Sequence, residues 1–218
     1  MHCAANRHRA ILLLGPTGSG KTPLGELLVE RGLWAMRCVH FDFGARLREI
    51  VARDRPDALI GRRDIDFLKE VLQSGALLES EHFPIARRIL ESHLAGHDPD
   101  RRTVVVLNGL PRHVEQSGPI DSLVEVLVVV HLACSEETVL RRIERNTGGD
   151  RTGRPDDDLA SVRHKLRLFN ERTTPLLAHY ARQGARIETI NVTPESTPEQ
   201  MREMLDRRRP GFSTTGSW

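Results

Sequence analysis

Ala10-Ile-Leu-Leu-Leu14 runs straight into Gly15-Pro-Thr-Gly-Ser-Gly-Lys-Thr22, and a helical stretch opens at Pro23. The loop fits GxxxxGK[ST] in the context that pattern requires, with an apolar strand before it and a helix after it. Such a turn lets the main-chain N–H groups of Gly18 to Thr22 curl around a phosphate. Glycines permit the close approach, and the helix N-terminus adds the positive end of its dipole. Gly15, Gly18, Ser19, Gly20, Lys21, Thr22 and Pro23 are therefore expected to hold a nucleoside triphosphate, with Lys21 bridging its β- and γ-phosphates and Thr22 on a Mg²⁺ that arrives with it. Pro23 lies in the first helical turn, where its missing N–H costs little. The loop alone does not choose among GTPases, motor ATPases and small-molecule kinases.

Outward from the loop, Ala10–Leu14, Arg37–Phe41, Thr103–Leu107, Val124–Leu132 and Arg186–Val192 are short runs rich in apolar and β-branched residues. Between them Thr22–Arg31, Phe67–Gln73, His82–His93, Glu136–Arg145 and Leu159–Gln183 carry apolar residues at helical spacing. This alternation predicts βαβ units and a five-stranded parallel sheet covered on both faces, a three-layer α/β domain. Two stretches break the rhythm: residues 42–80, with two helical pieces, and the polar loop Asn146–Asp158. Both are read as movable substrate covers, because a compact domain rarely carries such inserts without a use for them. The ends, Met1–Arg9 and Arg207–Trp218, are expected to be poorly ordered.

Composition narrows the classes. The chain has 218 residues, 39% hydrophobic and 28% charged, enough for one globular domain with its own core. A net charge of +2 provides no global field for nucleic acid or an anionic membrane, so phosphate chemistry must come from local clusters. Cys3, Cys38 and Cys134 lie far apart, without the paired spacing of a zinc knuckle or a disulfide framework, and fit a reducing compartment. The apolar runs at 10–14 and 126–130 are too short for a signal-peptide core or a membrane span. The expectation is a cytoplasmic protein that binds neither nucleic acid nor membrane.

Four further segments resemble the adenylate kinases. His40-Phe-Asp-Phe-Gly-Ala-Arg-Leu-Arg48 stands where that family has a strand end followed by Thr-Gly-Asp-x-Leu-Arg, with Gly44, Leu47 and Arg48 matching, and Ser74-Gly-Ala-Leu-Leu78 resembles its Gly-x-Leu-Val turn. Asn108-Gly-Leu-Pro-Arg112 with Gln116 is similar to the family's Asp-Gly-Phe-Pro-Arg and trailing Gln. Arg151-Thr-Gly-Arg154-Pro-Asp-Asp-Asp158 followed by Lys165, Phe169, Thr174-Pro175-Leu176 and Tyr180 looks like the C-terminal edge of the family's lid and the helix after it. Together these cover nearly all of residues 10–193.

The resemblance implies a P-loop kinase fold with a core at 10–41, 103–145 and 159–193, a monophosphate-binding insert at 42–80, a short lid at 146–158 and a tail at 207–218. It implies a nucleoside monophosphate acceptor, AMP first because Gln116 is present, held by Phe43, Gly44, Arg48, Ala76, Leu77, Leu78, Gly109, Arg112, Gln116, Arg154 and Lys165. Arg112, Arg154 and, from the preceding helix, Arg142 or Arg145 would join Lys21 around the transferring group, Arg145 also touching ATP. Arginine forks suit that task because they neutralise two polyanions without losing a proton. A lid this short predicts no structural zinc. A monomer is expected.

The chain also departs from the family. Asn108 and Ala45 stand where the family has carboxylates near the metal, so Asn108 would act on Mg²⁺ only through water. Asp42 could compensate if the strand end directs it inward. Lys165 replaces an arginine and Phe43 a threonine. Two alternatives remain open on sequence: a P-loop kinase of another small metabolite, and a nucleotide-binding regulatory protein with weak or no turnover.

Overall fold

A computed structural model of the chain describes residues 7–97, 102–150 and 158–209. Five strands form one parallel sheet: β1 (His8–Leu14), β2 (Arg37–Asp42), β3 (Thr103–Asn108), β4 (Val124–Ala133) and β5 (Arg186–Asn191), in the order β2-β3-β1-β4-β5. The strand expectations hold, with small shifts at the ends. β1 begins at His8, so His8 and Arg9 belong to the sheet rather than to a loose end; residues 1–6 and 210–218 lie outside the described residues.

Side chains alternate along the central strands, and each face takes its own cover. Ala10, Leu12 and Leu14 pack with Phe41, Val105 and Leu107 beneath α2 (Phe43–Arg53), α3 (Arg62–Ser74), α4 (Phe83–Leu94), α5 (Ser117–Asp121) and α8 (Pro175–Arg182). Ile11 and Leu13 pack with Val104, Val106 and Val130 beneath α1 (Lys21–Arg31) and α9 (Pro198–Arg207). Each Leu, Ile or Val among these contributes roughly 1.5–3 kcal/mol on burial, an upper bound because denatured chains are not fully extended. α6 (Glu136–Glu144) and α7 (Leu159–Leu168) close a third, smaller cluster through Val139, Val162 and Leu166.

Local chemistry sets the boundaries. Asp42 ends β2 and caps α2, its carboxylate accepting from the Ala45 N–H at 2.8 Å. Ser135 caps α6 and Asp158 caps α7 in the same way. Gly25 of α1 faces the His40 ring so closely that a Cβ would sit 2.3 Å from its Nε2; this contact seats α1 on β2. Trp34 pins α9, its indole N–H donating to the Leu205 carbonyl at 2.8 Å.

Three expectations are corrected. The helical pattern of Leu159–Gln183 is not one helix: a π turn at Phe169–Thr173 separates α7 from α8, with the Thr174 N–H reaching back to the Phe169 carbonyl at 2.9 Å. Pro175, at the start of α8, has no N–H to continue the regular ladder. α3 begins at Arg62 rather than Phe67. α9 has no counterpart among the expected helices, because only Met201 and Leu205 of its residues are buried, while Met204 is exposed and the rest is mostly polar. Among the described residues no helix is long and apolar enough to cross a membrane.

Candidate active site

The cradle begins with Gly20. Its φ of 97° carries the chain from the loop into α1, and a Cβ there would meet the Arg142 guanidinium at 3.0 Å. No side chain caps α1, so its first N–H groups face a cavity walled by Gly15, Gly18, Gly20, Lys21 and Thr22. Lys21 Nζ donates to the Gly15 and Pro16 carbonyls, each at 2.7 Å. Ser19 faces away: it is fully buried and its hydroxyl donates to the Pro16 carbonyl at 2.8 Å, holding the loop's shape. Pro23 is likewise buried outside the cavity wall.

Two parallel strands end beside Thr22. Asp42 and Asn108 are register partners at the C-terminal ends of β2 and β3, where ligands of open α/β sheets gather. Thr22 Oγ1 donates to Asp42 Oδ2 at 2.5 Å, and Asn108 Nδ2 donates to the same oxygen at 2.8 Å and to Thr22 Oγ1 at 3.1 Å. Asp42 therefore does turn inward.

From β3 the chain passes through Gly109, Leu110 and Pro111 to Arg112, all on the cavity wall. The Arg112 main chain is fixed on both sides: its N–H donates to Gln116 Oε1 at 2.7 Å and its carbonyl accepts from Thr173 Oγ1 at 2.7 Å. Its half-buried guanidinium has no hydrogen bond or ion pair among the described residues. Burial pushes its pKa down, and the Asp42 charge works in the opposite direction. Gln116 is 2% exposed and bridges to the Leu78 carbonyl through Nε2 at 2.8 Å. Gly44, Arg48, Ala76, Leu78 and Lys165 complete this side, the Arg48 guanidinium lying over Gly44 and the Lys165 chain over Gly75. Phe43 touches the cavity, but its ring is core, 3% exposed and stacked on Phe41 at a centroid distance of 6.3 Å. Leu77 is buried outside the wall.

Four cations, Lys21, Arg48, Arg112 and Lys165, and two carboxylates, Asp42 and Asp150, line the cavity among the described residues. Such a balance suits polyanionic ligands. Phe169, named in the sequence only as part of the helix after the lid, also lines the cavity, and so do Asp150 and Thr173, which the sequence does not single out; Thr173 lies in the π turn, which carries no residue pattern of its own.

Arg142, expected near the transferring group, is placed outside the cavity wall. Its side chain is 2% exposed, and its guanidinium donates to the carbonyls of Gly18 at 3.0 Å, Thr193 at 2.9 Å and Ser196 at 2.8 Å. Burial lowers its pKa, yet all three partners suit the cation. Arg145, one turn on, stands outside the cavity wall and pairs with Glu195 at 3.1 Å, both exposed. Arg154, with most of the expected lid, lies outside the described residues.

A strand–loop–helix phosphate cradle, with Lys21 and Thr22 facing a second cationic pocket built on Arg112, defines a P-loop phosphotransferase. A family of AAA domains matches residues 11–162. The adenylate kinase of Rhizobium meliloti (strain 1021) is 31% identical over 192 residues, 83% of this chain and 90% of its own length. That of Xanthomonas campestris pv. campestris (strain 8004) is 30% identical over 187 residues with the same coverage, and that of Thermus thermophilus is 28% identical over 205 residues, 90% of this chain and 97% of its own. The chain belongs to the adenylate kinase family.

Proposed function

We propose that the chain, a nucleoside monophosphate kinase in class, transfers the γ-phosphoryl of ATP to AMP in the cytoplasm, as a monomer. The observation that carries this reading is Arg112: a cation with its main chain clamped and its guanidinium without a partner among the described residues, within a cavity, is suited to a phosphate anion across from the phosphate loop. ATP lies along Gly15–Thr22. The monophosphate lies between residues 43–78 and Arg112–Gln116, with Arg48 and Lys165 on its phosphate and Gln116 beside its base. Arg145 and Arg154 act from the lid side.

An oxygen of the acceptor phosphate attacks the γ-phosphorus as the bond to the β,γ-bridging oxygen breaks, leaving ADP on each side. The attacking oxygen is already anionic, so alignment and charge stabilisation are the main catalysis and no side chain need act as a strong base. Thr22, with Asn108 reached through water, offers oxygen donors of the kind Mg²⁺ takes, and the ion when bound neutralises charge on the β- and γ-phosphates. Reading the chain as a binder without turnover rests on the carboxylates missing at 45 and 108, and Asp42 against Thr22 removes much of that motive.

A coupled assay with ATP and a panel of monophosphates tests the reading. AMP should give the highest kcat/KM, and Arg112→Ala should raise the acceptor KM and lower kcat with little change in the KM for ATP. No turnover with any monophosphate, or an effect confined to ATP, would overturn it.

A further inference from the structure

Thr22, the last residue of the phosphate loop, donates its hydroxyl hydrogen to a carboxylate from β2, Asp42. We infer that Asp42 is the positioning residue that makes Thr22 an effective metal ligand, and that Asp42 and Asn108 share this task as an exchangeable acid–amide pair across the β2–β3 register. The inference rests on the kinase reading above and deepens it.

Hydrogen-bond accounting leads there. Asn108 Nδ2 can only donate, so at Thr22 Oγ1 it occupies one oxygen lone pair. Thr22 then has one hydrogen, which goes to Asp42 Oδ2, and one lone pair left for a cation. A hydroxyl donating to a carboxylate gains electron density on its oxygen and becomes a better ligand, and its orientation is fixed. Asp42 cannot swing away, because its Oδ1 accepts the Ala45 N–H that starts α2. A carboxylate has about four acceptor sites; Ala45, Thr22 and Asn108 take three here, and the remaining one can accept a metal-bound water.

The same geometry explains why Asn108 is an amide. A carboxylate there would place two anionic oxygens where a 2.8 Å hydrogen bond now lies, and like charges at that distance cannot both remain ionised without a large cost. One acid and one amide satisfy the cluster, and the register partnership leaves the choice of strand open.

The test is equilibrium binding of a non-hydrolysable ATP analogue, titrated with Mg²⁺, to the full chain and three variants. Asp42→Asn should weaken apparent Mg²⁺ affinity of the analogue complex by about tenfold, the size of effect typical for a group that orients a ligand. Asn108→Asp alone should give no gain. The double exchange, Asp42→Asn with Asn108→Asp, should recover to within about threefold of wild type, a return no merely structural role of Asp42 predicts. Asp42→Asn within twofold of wild type, or a double exchange no better than Asp42→Asn, overturns this inference and leaves the kinase reading standing. Wild-type binding indifferent to Mg²⁺ overturns both.

Discussion

The main-chain N–H of Arg112 donates to the side-chain oxygen of Gln116 at 2.7 Å, and the amide nitrogen of the same glutamine donates to Leu78 at 2.8 Å. These two contacts fix which way the amide faces, since an N–H must meet oxygen and a carbonyl must meet nitrogen. Gln116 therefore joins the Arg112 turn to the turn after α3. Gln116→Glu replaces the donor that meets the Leu78 carbonyl with an acceptor. It should cost about 1–3 kcal/mol of stability for the unsatisfied buried groups and raise the acceptor KM. Urea midpoints and acceptor kinetics check both; an unchanged midpoint would place the Leu78 contact outside the energetics.

Lys21→Met removes the only charged group contributed by the phosphate loop itself. Turnover should fall by about a hundredfold or more, as when one preorganised donor to a transition-state oxygen is lost. Circular dichroism should remain that of the wild type. A turnover near wild type would sink the role assigned to the loop.

Arg142→Ala should act on stability rather than on chemistry directly. Three carbonyls lose a charged donor, and a cost of about 3 kcal/mol is expected from hydrogen bonds of this kind. The KM for ATP should rise with it, because Gly18 is released. Arg145→Ala removes an exposed ion pair and should shift the melting temperature little. Equal destabilisation by the two changes would contradict the assignment of Arg142 to the buried side.

How the sequence divides these two arginines shows what is legible and what is not. The phosphate loop is a contiguous motif, so its strand, turn and helix can be read locally, and the five strands announce themselves as short apolar runs. Val139 and Arg142 are also readable afterwards, since a spacing of three puts the arginine on the stripe that already buries Val139. A prior that arginines belong on surfaces or at phosphates hides that signal. Asp42 is harder still, because its direction depends on where β2 stops relative to β3. With Asp42 turned inward, Asn108→Asp should bring no benefit in Mg²⁺ use. The π turn and α9 have only weak local signals, a proline and two buried apolar residues, and come from tertiary packing.

Acid should weaken the fold through histidine before it protonates most carboxylates. Burial foremost, with His97, Arg46, His40 and His8 adding like charge, pushes His93 down from 6.5 to about 4, and burial also lowers His40 and His131. Between pH 6.5 and about 4 the unfolded chain binds the His93 proton and the folded chain does not. Stability is therefore full above 6.5 and falls as pH drops through this window, by up to about 1.4 kcal/mol per unit for one group. Urea midpoints at pH 7 and pH 5 should differ for wild type and differ less for His93→Leu. Identical pH dependence in the two proteins would rule His93 out as a contributor.

The Arg142 clamp also decides where the chain can be opened. Beyond it, Thr147 is still tied, its N–H to the Arg142 carbonyl and its hydroxyl to Pro194. Gly149 is exposed, with open space where a side chain would point. New termini, or a fluorescent reporter spliced in after Gly149, whose own N–H reaches only the nearby Asn146 carbonyl, would sit past the Thr147 contacts and beside a segment facing the cavity through Asp150. A graft there should leave the phosphate loop anchored while its optical signal reports on the cavity next to Asp150, which makes Gly149 the place to try turning this enzyme into a sensor.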